Sequence, residues 1–461
     1  MKSPNQINIE NMQSRMTDIQ IKSGSDTVCL AKWLQTTINL HNGHTMSCHH
    51  CKSNKISVEE LKTNYSALHN TKQKKLERHD MMDSRRPSSC NYCWNIEDLG
   101  NDHISDRTYK STDEKWAYPN LNVVLKSGPI NNITPTYVEV SFSNVCQMSC
   151  MYCSPDVSSS WMDEIERHGE YKVGIGNIEW IKQQEKMPIL HKDHNPYVEA
   201  FWKWWPELSK SLVELRITGG EPLLSKDFWK LLDMLCENPM PDLKLSINSN
   251  MMVPEQLITK LIDYANKLNG KVKEFELYTS CEASGQQANY IRYGMDYTKF
   301  MMNVKRYLTE TPDTYRVNFM ITFNALSLTS FKDFMYDIWN FRRIYNENDG
   351  FNRIPFVISY LRWPQFQDVR VLPNEFKLKY LNDIEQWMHL HDRNNSEDLA
   401  GRFYLEELDQ IARLKEYALT KLDDTDLMKR LADFKSFYHE YDQRRGTNFL
   451  EAFPEYREFY E

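Results

Sequence analysis

Three cysteines within eight residues have the types and spacing to bind a metal or a redox group. Cys146, Cys150 and Cys153 lie in VSFSNVCQMSCMYCSPD (140–156), separated by three and then two residues. The set fits a disulfide framework, a zinc site or an iron–sulfur cluster. The chain has no further Cys or His until His168, so a nearby fourth ligand for tetrahedral zinc is missing. Three thiolates on a cubane cluster instead leave one iron open, which suits chemistry at that iron.

A second motif ends a predicted strand. The chain has 15 glycines, and its one Gly-Gly pair is Gly219 and Gly220, followed by Glu221 and Pro222 in LRITGGEPLLS. Glycine lets the backbone approach a ligand closely, and the Glu-Pro step restricts the turn. Taken alone, the motif also fits an ordinary strand-to-helix turn.

Two more predicted strands end in polar residues. Ser249 and Asn250 lie in LSINSNM, and Ser280 ends the strand that leads into CEASGQQANYIRYG, which contains Glu282 and Arg292. By two-residue alternation, Asn250 and Ser280 lie on the polar face of their strands.

The ordered motifs resemble those of the radical S-adenosylmethionine (SAM) superfamily. The resemblance implies that Cys146, Cys150 and Cys153 hold a 4Fe-4S cluster whose open iron is chelated by the amino and carboxylate groups of SAM. An electron from the cluster would cleave SAM to a 5′-deoxyadenosyl radical, which abstracts hydrogen from a substrate. Such a cluster needs a reductant, so a flavodoxin or ferredoxin is the expected partner.

The resemblance also implies a set of cofactor-binding residues. The GGEP backbone and Glu221 would hold the methionyl amine, Ser280 the ribose hydroxyls and Arg292 the SAM carboxylate, a bidentate task suited to guanidinium. Glu282 replaces the family's usual Asp, and a Thr-Asn-Gly strand end is matched only in part because its glycine is missing. The predicted set is Tyr152, Thr218, Gly219, Gly220, Glu221, Pro222, Ser249, Asn250, Ser280, Glu282 and Arg292.

Five further cysteines precede the first motif. Cys48-x2-Cys51 with Cys90-x2-Cys93 fits a four-cysteine zinc ribbon, with His49 and His50 as further possible ligands. The alternative is a resemblance to the SPASM/twitch pattern, a CxnGx4C hairpin followed by a helix and CxxC. That pattern implies a second 4Fe-4S cluster on Cys29, Cys48, Cys90 and Cys93, with Gly43 in the hairpin and Cys51, His49 and His50 as neighbours. The twitch module normally follows the barrel, whereas here it would precede it.

Strand-like and helix-like segments alternate through the middle of the chain. The predicted strands are 136–143, 212–218, 242–249, 272–280, 315–323 and 354–361, and repeated strand–helix units indicate a parallel sheet or barrel. We therefore predict an α/β fold: a partial (β/α)6 TIM-like radical SAM barrel, a small N-terminal α+β auxiliary-cluster domain and a C-terminal helical segment. The expected boundaries are 1–22 for a polar arm, 23–115 for the twitch-like domain, 116–375 for the core and 376–461 for the helical cap.

The predicted strands have one apolar and one polar face. Val213, Leu215 and Ile217 alternate with Glu214, Arg216 and Thr218 in the second strand, and the other strands follow the same pattern. A closed barrel normally fills its interior with branched apolar side chains, so a polar inner face predicts a wet or ligand-filled lumen. Glu276, Tyr278 and Arg216 are candidate substrate or proton contacts there; alternatively, they are buried polar groups that satisfy one another. Cys236 and Cys281 are expected to be core thiols.

Bulk composition excludes several protein classes. The 461 residues carry a net charge of −8 and 41% hydrophobic residues, which is typical of a globular protein and unsuited to general nucleic-acid binding. The sequence has no signal peptide and no apolar stretch long enough to span a membrane, so a cytoplasmic protein is expected. Eight of the ten cysteines precede residue 154, which favours metal or redox chemistry over disulfides.

The sequence therefore predicts a radical SAM oxidoreductase-type enzyme. Its substrate would be a peptide, a sugar or a nucleotide in the polar lumen, and the auxiliary cluster would accept the product electron or bind substrate. The alternative is a non-catalytic zinc and iron–sulfur protein that acts through a partner or nucleic acid; the acidic net charge disfavours it.

Overall fold

The computed structural model describes residues 4–100, 103–190, 192–346, 351–392 and 398–461. It divides into two compact units. The first contains the chain up to Ser143 with Gln184–Gly219 and Pro241–Leu245, and the second contains Asn144–Gln183, Gly220–Met240 and Ser246–Glu461. Among the helices of the described residues, none is both long and apolar enough to cross a membrane.

The described residues form eleven strands. They are β1 (Gln35–Asn39), β2 (His44–Met46), β3 (Asn54–Lys55), β4 (Tyr137–Ser141), β5 (Ser149–Cys150), β6 (Glu214–Thr218), β7 (Met240–Ser249), β8 (Val272–Ser280), β9 (Arg292–Tyr293), β10 (Arg316–Phe323) and β11 (Phe356–Tyr360).

Twenty α-helices accompany the strands in the described part of the chain. They are α1 (Pro4–Ser23), α2 (Ala31–Leu34), α3 (Val58–Leu61), α4 (Lys72–Met82), α5 (Asn91–Glu97), α6 (Asp106–Ser111), α7 (Leu121–Ser127), α8 (Ser159–His168), α9 (Ile178–Gln183), α10 (Pro196–Leu208), α11 (Lys226–Glu237), α12 (Glu255–Leu268), α13 (Gly285–Ile291), α14 (Tyr297–Glu310), α15 (Phe331–Tyr345), α16 (Asn374–Leu390), α17 (Leu405–Leu419), α18 (Asp424–Arg445), α19 (Phe449–Ala452) and α20 (Arg457–Tyr460). Short 3-10 turns lie at Tyr65–Leu68, Ser88–Cys90, Tyr118–Asn120, Pro222–Leu224, Gln365–Gln367, Val369–Val371 and Pro454–Tyr456.

In the first unit, an N-terminal hairpin extends a parallel sheet. Strand β1 pairs antiparallel with β2 and parallel with β4, which in turn pairs parallel with β6. The hairpin turn contains Gly43 at φ +67°, where an added Cβ would overlap the ring of Tyr197. Only glycine fits a left-handed turn packed this closely. The segment expected to form a separate auxiliary domain therefore contributes strands to the same sheet as β4.

The second unit carries the later strands of the α/β repeat. Strands β8, β10 and β11 pair in parallel, with Phe319 opposite Thr279 and Phe356. Strand β7 neighbours β8 in the sheet, and its residues are divided between the two units. A separate two-stranded ribbon pairs β5 with β9, which places Cys150 opposite Arg292.

The predicted α/β fold is confirmed by the strand–helix alternation and the parallel pairing. Each of the six predicted strands contains or overlaps one observed strand: β4, β6, β7, β8, β10 or β11. The two-residue period is also present: Leu215 and Ile217 of β6 are fully buried, whereas Glu214, Arg216 and Thr218 are partly exposed. The buried apolar residues therefore share one face of β6, and the partly exposed polar residues share the other.

Both ends of the chain are helical. Residues 4–22 of the expected polar arm belong to α1, in which Met12, Met16 and Ile19 are buried in a core. In the predicted C-terminal helical cap, Phe434 and Tyr441 of α18 are fully buried.

Of the two predicted core thiols, Cys281 is buried. Cys236 in α11 is partly exposed.

Candidate functional site

The three-cysteine loop is held by the start of α8. The hydroxyl of Ser158 donates to the Met148 carbonyl at 2.9 Å, and that of Ser160 donates to the Cys146 carbonyl at 2.6 Å. The Cys153 N–H donates to the Cys150 carbonyl at 2.9 Å, which closes a turn at the end of the loop. Serine hydroxyls and one backbone N–H therefore satisfy the carbonyls of Cys146, Met148 and Cys150, which fixes the backbone of the loop.

The three thiols of this loop are reduced and lie in poorly solvated surroundings. Burial raises the pKa of Cys146 to about 12 and also raises the pKa of Cys153, with the neighbouring Cys150 adding to both shifts. Burial likewise raises the pKa of Cys150, although Arg292 opposes that shift. Three crowded thiols of this kind become thiolates most readily when a bound cation compensates their charge. The donor set thus fits a cluster with three protein ligands.

The GGEP turn packs directly against this loop. An added Cβ on Gly220 would lie 2.5 Å from the Val145 carbonyl oxygen, a distance that backbone atoms do not tolerate. Glu221 N–H donates to the same carbonyl at 2.7 Å. Within the first unit, Gly219 has φ +132°, a value that favours glycine. The second glycine is thus explained by its contact with the chain immediately before Cys146.

Glu221 is a fixed and almost fully buried carboxylate. It is 1% exposed and accepts hydrogen bonds from Leu223 N–H at 3.1 Å, the Ser249 hydroxyl at 2.9 Å and Asn250 N–H at 2.7 Å. Burial raises the pKa of Glu221 to about 7, and these hydrogen bonds oppose that shift. Ser249, which is predicted to contact the cofactor, donates its hydroxyl to Glu221, and its predicted role stays a prediction.

The strand end at Asn250 reaches the cysteine loop. The Asn250 amide nitrogen lies 3.8 Å from Cys146 Sγ, and the Gln147 amide donates to Asn250 Oδ1 at 3.0 Å. The next residue, Met251, has φ +56°, the left-handed conformation that glycine adopts readily. Met251 occupies the place of the family's glycine, so the backbone geometry is kept although the residue differs.

Tyr152, Glu282 and Arg292 form a buried polar triad beside the middle cysteine. The Arg292 guanidinium pairs with Glu282 at 2.7 Å, and the Tyr152 hydroxyl donates to the same carboxylate at 3.1 Å. Arg292 also donates to the Tyr152 hydroxyl oxygen and lies 3.8 Å from Cys150 Sγ. Burial raises the pKa of Glu282, opposed by Arg292 and Tyr152. The carboxylate at this position, whose role the sequence left open, holds the guanidinium in place.

Two of the three candidate lumen residues, Glu276 and Tyr278, are hydrogen-bonded to each other. Glu276 is 3% exposed and accepts a hydrogen bond from the Tyr278 hydroxyl at 2.8 Å and another from Arg316 at 3.3 Å. These hydrogen bonds fit the alternative to substrate contact, in which buried polar groups satisfy one another. Arg216, Thr218 and Ser280 are partly exposed on their strands. The roles predicted for these residues stay predictions.

Arg445, near the end of the chain, supports the cysteine loop and was not found by sequence reasoning. Its guanidinium donates to the Ser149 carbonyl at 2.6 Å and to Glu164 at 3.0 Å, and it lies over the ring of Tyr441 at 4.0 Å. Arg445 and Ser149 are 296 residues apart. Its position in the last turn of a helix predicts only a favourable helix-end charge, so the sequence held no signal for this contact.

In the first unit, all five N-terminal cysteines line one cavity. Cys51 Sγ lies 3.3 Å from Cys48 Sγ and 3.7 Å from Cys90 Sγ, with Cys29 and Cys93 in the same lining. A hydrogen bond from the Cys51 thiol lowers the pKa of both Cys48 and Cys90. Cys51, expected to be a neighbour, is thus inside the pocket, and sulfur donors of this number fit a tetrathiolate metal centre.

Cations and histidines surround this five-cysteine pocket. Lys32, Arg107, Lys110 and His50 contribute to its lining. His50 stacks on Tyr92 at 3.7 Å between ring centres, and exposed His49 lies 3.5 Å from Glu139. Within the described residues, no group of three or more His, Cys, Asp or Glu side chains is arranged to hold a metal ion directly.

Comparison with known proteins identifies relatives for part of the chain. A segment of 127 residues is 26% identical to the GTP 3′,8-cyclase of Nautilia profundicola, and 130 residues are 26% identical to that of a Sulfurovum species. The GTP 3′,8-cyclase of Sulfurimonas denitrificans is 25% identical over 127 residues. Each match covers 28% of this chain and 31% of the relative, so the chain spans about a third of the length of the curated relatives it matches.

No family model matches the chain. Among solved structures, Streptococcus suis SuiB bound to S-adenosylmethionine is 12% identical with a TM-score of 0.32, covering 73% of this chain and 75% of that one. SuiB bound to its precursor peptide SuiA is 11% identical with a TM-score of 0.34, covering 78% and 69%. Sequence identities and TM-scores this low indicate nothing about the function of this chain. The GTP 3′,8-cyclases are radical SAM enzymes, and they confirm the resemblance read from the motifs.

Proposed function

We propose that this chain, a relative of radical SAM enzymes, binds a 4Fe-4S cluster and SAM and abstracts hydrogen from a substrate. One observation carries the proposal: three motifs distant in sequence reach one cysteine loop. Asn250 contacts Cys146 at 3.8 Å, Arg292 contacts Cys150 at 3.8 Å, and Glu221 N–H is bonded to the carbonyl before Cys146 at 2.7 Å.

The polar side chains around the loop are suited to an amino acid ligand. Glu221 presents a fixed carboxylate for an amino group, and Arg292 presents a guanidinium for a carboxylate. Glu282 and Tyr152 orient that guanidinium before any ligand binds, which lowers the cost of binding. When bound, the cluster and SAM would supply a 5′-deoxyadenosyl radical; the protein binds, orients and shields.

We assign the N-terminal cysteines to a second, auxiliary 4Fe-4S cluster. Cys29, Cys48, Cys90 and Cys93 are the proposed ligands, and four-thiolate ligation suits electron transfer because no iron stays open. The support is the shared cavity, lined by all five cysteines and by three cations. Zinc in the same pocket is the alternative.

The substrate is proposed to be a small molecule or a peptide, bound at the polar face of the strands. A nucleotide is favoured as a particular candidate by the named activity of the partial relatives, which act on GTP. A net oxidation is proposed, in which the auxiliary cluster accepts the product electron and flavodoxin or ferredoxin reduces the SAM-binding cluster.

Anaerobic reconstitution tests the proposal. With two clusters we expect about eight irons per chain and dithionite-dependent formation of 5′-deoxyadenosine. The control is a chain with Cys146, Cys150 and Cys153 all changed to Ala, which should form none. Absence of SAM cleavage by the loaded wild-type protein would refute the enzyme and leave a non-catalytic metal protein. About four irons together with bound zinc would revise the first unit only.

A further inference from the structure

Lys32 is a buried cation inside the five-cysteine pocket. It lies in α2, shortly after Cys29, and is 2% exposed. Its Nζ lies 3.7 Å from Cys51 Sγ and donates to Glu77 Oε2 at 2.6 Å. An ammonium group removed from water is costly unless it is paired. Lys32 therefore sits where its charge acts on thiols and on one carboxylate, with little solvent screening.

The other buried cations near Lys32 are engaged elsewhere. Lys74 Nζ donates to the hydroxyls of Thr36 and Thr45, at 2.9 and 2.8 Å. Burial, together with Arg78 and Lys32, lowers the pKa of Lys74 well below its usual range. Arg78 donates to the Lys32 carbonyl at 3.0 Å, away from the sulfurs.

The cations on the α6 side of the pocket have carboxylate partners. Arg107 pairs with Glu97 at 2.8 Å, and Lys110 pairs with Asp106 at 2.8 Å. Lys110 and Asp106 are 17% and 27% exposed, so solvent screens this pair more than the Lys32 pair, at 2% and 5%. Coulomb interactions are strongest where water is excluded. Of these three pairs, Lys32 and Glu77 are the least exposed to solvent, and water screens their charges least.

We propose that Lys32 is a positioning residue that, together with Glu77, sets the reduction potential of the N-terminal cluster. The inference rests on the proposed auxiliary 4Fe-4S cluster. One-electron reduction adds one negative charge to the cluster; no bond is broken and no proton moves. A nearby ammonium stabilises the added charge and raises the potential, whereas the carboxylate of Glu77 lowers it. The pair thereby adjusts how readily the cluster accepts an electron from the product radical.

The test isolates the N-terminal centre in a chain with Cys146, Cys150 and Cys153 changed to Ala. Its cluster is titrated with dithionite at controlled potential, and the reduced form is followed by electron paramagnetic resonance. Lys32→Met should shift the midpoint potential to a more negative value, and Glu77→Gln should shift it to a more positive one. Lys74→Met is the matched control from the same buried network, and its shift should be smaller than that of Lys32→Met.

Opposite shifts for the two variants identify an effect of charge. A merely structural perturbation would move both potentials in the same direction or lower the iron content of both, and either result overturns the role of Lys32. Unchanged potentials with full iron content overturn it as well. Zinc in place of iron in the isolated centre overturns the proposed cluster itself, which metal analysis detects before any titration.

Discussion

At the scale of single residues, the site depends on carboxylates whose surroundings are unusual. Glu221 and Glu282 are each 1% exposed, yet they are held differently. Glu221 is bound by neutral donors, two of them backbone N–H groups, whereas Glu282 is paired with a guanidinium. A buried carboxylate without a cationic partner is the one that retains a proton near neutral pH.

Glu221 should make stability depend on pH. Its pKa is raised from a usual value near 4.5 to about 7, so the folded state holds a proton that the unfolded state releases. The stability linked to this proton is complete below the unfolded pKa and is lost as pH rises through the folded pKa. Relative to Glu221→Gln, the metal-free wild type should lose about 2–3 kcal/mol of unfolding free energy between pH 5 and 8.

Urea unfolding of both proteins at the two pH values measures this loss. Groups that titrate in both proteins contribute equally to the two unfolding free energies. Their contributions cancel in the difference, so the comparison isolates the effect of Glu221. A wild type and variant that change in parallel over this range would contradict the protonated carboxyl.

Glu282→Ala should strongly destabilise the fold, because it leaves Arg292 buried and unpaired. Removing one partner of a buried pair costs about 3–5 kcal/mol. Asp98→Ala is the control: its pair with Arg86 is made by side chains that are 60% and 47% exposed, and such pairs contribute below about 1 kcal/mol. Chemical unfolding of the two variants provides the measurement, and equal losses would argue against the buried triad.

At the scale of secondary-structure elements, the cysteine loop is supported from two directions. The start of α8 supplies serine hydroxyls, and the end of α18 supplies Arg445. Tyr438 of α18 adds a contact of its hydroxyl with Met151 Sδ at 3.1 Å. The loop pairs with β9 through two residue pairs, Ser149 with Tyr293 and Cys150 with Arg292, so it needs this support to keep its thiols in a fixed arrangement.

Arg445→Met should reduce the capacity of the loop to keep a metal centre. The change leaves the Ser149 carbonyl and Glu164, which is 6% exposed, without their guanidinium partner. We expect a loss of about 3–5 kcal/mol in stability and a faster loss of iron from the loop under chelator. Arg457→Met, in an exposed helical pair with Glu461, should change neither quantity noticeably. Iron release followed by absorbance distinguishes the two variants.

At the scale of the whole molecule, thiols are concentrated in two separate sets. One lies in each compact unit: the five-cysteine pocket in the first and the three-cysteine loop in the second. The net charge of −8 gives no general attraction for polyanions, so recognition of a negatively charged ligand depends on local groups such as Arg292.

The two thiol sets should be separable by mutation. With Cys29, Cys48, Cys90 and Cys93 changed to Ser, we expect about four irons and continued SAM cleavage on addition of dithionite. With Cys146, Cys150 and Cys153 changed to Ala, we expect the chain to keep only the irons of the N-terminal cluster, about four. This variant should form no 5′-deoxyadenosine. Iron analysis and chromatography of the products check both results; loss of cleavage by the first variant with its irons retained would show that the sets are coupled.

The sequence by itself determined the α/β class, the six central strands and the motifs at their ends. These follow from short-range information: two-residue alternation, as in Leu215 and Ile217, and local spacing, as in Cys146, Cys150 and Cys153. Which residues line the N-terminal pocket was only partly predictable, because the two cysteine patterns disagreed on Cys51 and no spacing signal marked Lys32.

Only the tertiary structure decided which side chains meet. The pairing of Glu282 with Arg292, the support of Ser149 by Arg445 and the left-handed backbone of Met251 could not be read from the chain. Each depends on directions and distances between segments far apart in sequence, or on a backbone conformation that its residue type disfavours. Residue types and spacing limit which chemistry is available, whereas packing determines which groups are close enough to take part.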